Sequence, residues 1–166
     1  MKNLLIISVL LLLGLNGFGQ TNDNEIRQQV LNADVIDSMF VFGKWTEDGN
    51  GEETHLKYLG QFTTTDGRTF KIMTSSWYWG LSKRATSRIL IYNGKNQYVG
   101  NYYVDVIDDL PYKLEESELK FHRKHCSEVR TFHADFKNGL SVSFFVGCAG
   151  ENNHTGTNGD FYAFDS

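Results

Sequence analysis

In YLGQFTTTDGRTFKIM, Tyr58 to Met73, apolar side chains recur at alternate positions on either side of a Thr-Asp-Gly bend. A three-residue loop of Thr65, Asp66 and Gly67, with glycine in the left-handed conformation, pairs Phe62 with Phe70 and places Tyr58 and Ile72 on that same side. One face of the hairpin is then apolar. RTFHADFKNGLSVSFFVGC, Arg130 to Cys148, invites the same treatment. With Lys137, Asn138 and Gly139 as the loop, Phe136 pairs with Leu140, Ala134 with Val142 and Phe132 with Phe144, while Thr131, His133, Asp135, Ser141 and Ser143 share the wet face with Phe145. Between these two hairpins, in RILIYNGKNQYVGNYYV, Ile89 and Ile91 alternate with Leu90 and Tyr92, so both faces of that strand need cover and it belongs inside a two-layer structure.

Strands are predicted at 38–45, 54–64, 68–79, 87–93, 97–106, 118–122, 128–136, 140–148 and 160–164, separated by Gly, Asn and Asp and interrupted by a single proline, Pro111. Helical spacing occurs once, in DNEIRQQVLNAD, Asp23 to Asp34, where Ile26, Val30 and Ala33 mark one side behind a cap at Asp23 or Asn24. The expected fold is all-β: an antiparallel sandwich or flattened barrel of about nine strands with a short N-terminal helix.

Composition changes this picture at two points. Residues 1–19 carry one cation, Lys2, an apolar run from Leu4 to Leu13 and small residues at Gly17 and Gly19, the pattern of a secretory signal cut before Gln20. The run is too short to anchor in a bilayer, and no membrane span is expected. Residues 20–166 then form one domain, periplasmic or secreted. Sixteen basic and twenty acidic residues are scattered along the chain, giving a net charge of −4. Nucleic acid, whose phosphates require concentrated positive charge, is excluded as a partner.

Cys126 and Cys148 are the two cysteines, and in an exported chain they are expected to form a disulfide at the end of the 128–136/140–148 hairpin, where Cys148 falls opposite Glu128. Such a closure contributes about 3 kcal/mol. A mixed zinc site of His122, His125, Cys126, Cys148 and His154 is the rival, but only His122 and His125 form a close ligand pair, so no metal and no cofactor is expected. Glu151 to Asp160 is rich in oxygen donors yet lacks the acidic spacing of a calcium loop, and Asn153-His154-Thr155 is a glycosylation sequon.

The candidate binding residues lie in TSSWYWGLSKR, Thr74 to Arg84. Carrying the hairpin parity forward places Phe70, Ile72 and Tyr78 on the apolar side and Lys71, Ser75, Trp77 and Trp79 on the polar side. Trp77 and Trp79 then face outward as a stacking platform for a glycan, peptide or protein surface, rimmed by Lys83, Arg84 and Arg88. A bulge at Ser75 or Ser76 reverses the faces and buries both indoles in the core. For catalysis, no glycine-flanked serine elbow occurs; His133 beside Asp135 is the one acid-base pair suggested by spacing.

Phe42-Gly43-Lys44-Trp45 resembles the Gly-x-Trp signature at the first strand of lipocalins. The resemblance spans three residues and implies an alternative, an exported barrel holding a small apolar molecule beneath Trp45. The first expectation is a non-catalytic exported binding domain; the lipocalin-like barrel is the second, and a hydrolase with a site not visible in the sequence is the third.

Overall fold

A computed structural model describes residues 23–123, 130–147 and 159–166. The elements follow in the order α1 (Asp23–Ala33), β1 (Met39–Gly43), β2 (Glu53–Thr63), β3 (Thr69–Trp79), β4 (Arg84–Asn93), β5 (Tyr98–Val104), a 3-10 turn (Ile107–Asp109), β6 (Lys113–Glu115), β7 (Glu118–Arg123), β8 (Arg130–Asp135), β9 (Ser143–Gly147) and β10 (Gly159–Asp165). Seven strands form one antiparallel sheet in the order β1-β2-β3-β4-β5-β10-β9, and β6-β7-β8 form a second. Among the described residues the larger sheet runs from β1 to β9 without closing, so the arrangement is sandwich-like rather than a barrel.

The core lies between the sheets. Ile72, Ile89, Ile91, Tyr102 and Val104 of the large sheet meet Leu119, Phe121 and Phe136 on or beside the small one, all fully buried. A second apolar cluster lies on the outer face of the large sheet, where Ile26, Val30 and Leu31 of α1 cover Leu56, Tyr58, Met73, Leu90 and Tyr92. Leu31, not the exposed Ala33, completes the buried stripe of the helix. Asp34, with φ of 52°, follows α1 in the left-handed conformation that often ends a helix. β4, apolar on both sides, occupies the centre of the seven, as its alternation requires.

The β2–β3 hairpin has the expected register at its tip, with Phe62 opposite Phe70. The Thr64 backbone N–H donates to the Arg68 carbonyl, the Thr64 hydroxyl bonds Asp66, and Gly67 has φ of 84°. Further along, the expectation for Tyr58 is overturned. Leu59 is an extra residue between the pairs Tyr58–Met73 and Gly60–Ile72, which sends Leu59 into the main core and turns Tyr58 to the helix side. Gly60 makes this bulge possible, because its φ of 120° is open to glycine and strained for other residues.

The predicted β8–β9 hairpin is also overturned. β8 pairs with β7 in the small sheet and β9 with β10 in the large one, so Lys137 to Gly139 form a corner between layers. Gly139 N–H donates to the Phe136 carbonyl, and the chain then crosses rather than doubling back. Ala134 is buried while its expected partner Val142 is 85% exposed. The corner satisfies the same apolar residues differently: Phe136, Leu140 and Phe144 all reach the inter-sheet core. With that hairpin goes the register that set Cys148 opposite Glu128. Cys126, Cys148, His125, His154, the Asn153 sequon and the signal segment 1–19 lie outside the described residues. β6 was not anticipated; its three residues are too short to show a period.

Candidate functional site

β3 and β4 pair without interruption from Phe70–Asn93 to Trp79–Arg84, and β2 faces Ser75 and Ser76 in continuous register. No bulge therefore interrupts the alternation before the tryptophans. Trp77 and Trp79 share the outer face with Met73 and Ser75, while Tyr78 shares the inner face with Phe70 and Ile72. Because α1 covers only the Met73 end of this face, Trp77 stays 38% exposed at the other end.

The indoles stand as a stack. Their centroids are 5.7 Å apart with 27° between the planes. Trp79, half-buried, donates from Nε1 to the Thr86 hydroxyl at 3.3 Å, and the Arg84 guanidinium lies 5.5 Å from its ring centre. Trp77 Nε1 donates to Glu52 Oε2 at 3.2 Å. Arg84 is the direct cross-strand neighbour of Trp79, and Thr86 of Trp77; in the adjoining row Ser75 faces Arg88, which in turn faces Tyr103. Arg84 and Arg88 are exposed and form no ion pair with a described carboxylate. This half of the face thus offers aromatic surface, hydroxyls and two guanidinium groups, the materials of recognition by stacking and charge-assisted hydrogen bonds.

Lys83 does not join them. It is an exposed residue of the β3–β4 turn with φ of 48°, and its Nζ lies 5.3 Å from the ring centres of both Trp45 and Tyr78. There it meets a polar group that sequence reasoning missed. His55 Nε2 and Glu53 Oε1 are 2.6 Å apart, His55 packs edge-on against Tyr78, and Trp45 Nε1 donates to the Gly80 carbonyl at 2.7 Å. The hydrogen bond with His55 holds the Glu53 carboxyl below its ordinary range. The spacing of Glu53 and His55, two apart on one strand, was the available signal; their approach to Lys83 depends on the hairpin that follows. Together these groups brace the β3–β4 turn. Trp45 is engaged in that brace, half-buried between Gly80 and Lys83.

His133 and Asp135 are exposed on the outer side of the small sheet. Asp135 Oδ1 accepts from the Ser117 hydroxyl at 2.8 Å and from the Lys137 backbone N–H at 2.7 Å, which lower its pKa and commit it to holding the corner. His122 is stacked flat on Tyr112, 3.9 Å between ring centres. Among the described residues no helix is long and apolar enough to cross a membrane.

No protein-family model matches the chain, and neither a curated protein nor a solved structure does.

Proposed function

We propose that the protein is an exported, non-catalytic binding domain that engages a glycan, peptide or protein surface through the outer face around Trp77 and Trp79, with Arg84 and Arg88 at its margin. One observation carries the reading: the same sheet face that α1 seals at Met73 and Leu90 is left open at a stacked pair of indoles. Isolated apolar residues at a surface are ordinary, but two stacked tryptophans beside two exposed guanidinium groups that form no ion pair among the described residues make a coherent recognition surface. Export is supported by the pattern of residues 1–19.

The test is a glycan and peptide array probed with the purified protein and with Trp77→Ala. Loss of a captured ligand in the variant, with the melting temperature nearly unchanged, supports the reading. Retention of binding, or a drop in stability like that of a core truncation, counts against it.

A further inference from the structure

We propose that the protein forms a two-fold symmetric dimer in which the free edge of β1 pairs antiparallel with β1 of a second copy, Val41 lying opposite its own counterpart. β1 stands at one end of the seven-stranded sheet and is bonded only to β2 among the described strands. Its residues, Met39 to Gly43, include no charge and no proline, and its pairing with β2 runs without a bulge. Charges, prolines and bulges are the devices that keep sheet edges from pairing with other chains. Here the edge is instead apolar and open: Met39 is 55% exposed, Val41 54%, and Ile36, just before the strand, 57%.

The strand is suited to a copy of itself. Phe40 and Phe42 pack on the α1 side of the sheet, while Met39 and Val41 point to the inner side in the rows of Lys57 and His55. An added strand must keep these faces in step, so an antiparallel copy can be centred only on a residue and not between two. Centring on Val41 uses the whole strand. Phe40 then falls opposite the partner subunit's Phe42, an aromatic pair on one face, while Val41 meets the partner subunit's Val41 on the other.

Charge favours the same alignment. Asp37, half exposed and held through one oxygen by Lys57 at 3.2 Å, precedes the strand, and the exposed Lys44 follows it. Antiparallel pairing brings Asp37 of each copy to the Lys44 end of the other, whereas a parallel pair sets like charge beside like. A contact of this isologous kind closes at two copies. Its axis stands normal to the sheet, so the outer faces of both copies, and the indoles on them, look the same way.

Sedimentation velocity of the purified protein over a dilution series tests the proposal. A reversible monomer–dimer equilibrium is expected, with dissociation in about the micromolar range for a contact at the small end of specific interfaces. Val41→Lys, which sets two ammonium groups across the axis, is expected to give monomer at every concentration with its melting temperature nearly unchanged. Lys44→Glu is expected to weaken the dimer severalfold. Should Val41→Lys fail to fold, Val41→Cys decides: mild oxidation is expected to yield a dimer whose crosslink, mapped by peptide mass spectrometry, joins position 41 to position 41. A wild-type protein that is monomeric throughout overturns the inference, as does a dimer indifferent to Val41→Lys. A crosslink from position 41 to β9, or growth beyond two copies, overturns it too, since either reports head-to-tail assembly. None of these outcomes depends on Trp77, so failure here leaves the binding reading to its own test.

Discussion

The outer face of the large sheet has two halves built from the same strands. At one end Leu56, Met73, Leu90 and Tyr92 lie beneath α1 and are essentially inaccessible. At the other, Trp77, Thr86, Arg84 and Arg88 stand where the helix no longer reaches. Along β3 Trp77 lies only four positions beyond Met73, and both point the same way. The difference teaches that alternation along a strand assigns a face but not its environment; environment depends on what another element brings over that face.

That contrast can be broken by mutation, and the largest effect is expected in the covered half. Leu90→Ala should destabilise by about 2–5 kcal/mol, since it opens a cavity beneath α1, measured by urea denaturation with far-ultraviolet circular dichroism. Next comes the bulge that turns Tyr58 toward the helix. Gly60→Ala should cost about 1–2 kcal/mol because φ of 120° strains any residue with a Cβ, and a Cβ there meets nothing closer than 3.7 Å, so backbone strain is the whole cause. A negligible change would mean the extra residue is accommodated without glycine.

In the open half, Trp77→Ala should cost less than about 1 kcal/mol, the scale of a partly exposed aromatic contact. A loss matching that of Leu90→Ala would erase the distinction between the halves. Arg84→Ala, which removes the guanidinium from the Trp79 ring, should cost about 0.5–1 kcal/mol and redshift tryptophan emission as the ring gains water.

The smallest effect concerns the inner-face brace, which sharpens the comparison by showing what holds the open end rigid. The Glu53 carboxyl has a lowered pKa in the folded protein, chiefly through the hydrogen bond with His55. Its contribution is therefore present above the ordinary glutamate pKa of about 4.5 and is lost as pH falls through the lowered folded value. Asp66 and Asp135, lowered by hydrogen bonds from Thr64 and from the Lys137 backbone, act in the same direction. Melting temperature should thus decline on acidification below about pH 4.5, and Glu53→Gln should flatten that decline slightly; an identical pH profile in the variant would show that the brace adds nothing.

Much of this architecture was legible. Phe62 meets Phe70 because Thr-Asp-Gly permits one tight loop, and the burial of Ile89, Leu90, Ile91 and Tyr92 placed β4 at the centre of a layered structure. The unbroken parity from Phe70 to Trp79 correctly set the indoles opposite Tyr78. The Leu59 bulge escaped notice because Leu59 and Tyr58 are both apolar, and either can face a core when both sides of the sheet are covered. The β8–β9 corner escaped for a related reason. Phe136, Leu140 and Phe144 satisfy a hairpin pattern as well as a crossover between sheets, since both bury the same three side chains.

The chain by itself determined an antiparallel β structure with one short helix, the tip of the β2–β3 hairpin and the common face of Trp77 and Trp79, because these depend on local backbone geometry and the two-residue strand period. Only the tertiary structure decided that α1 stops short of the indoles, that Lys83 lies over the Trp45 and Tyr78 rings, and that β8 and β9 part into different sheets. Those outcomes depend on which apolar surfaces meet across layers, and burial is indifferent to sequence order so long as each surface finds a cover.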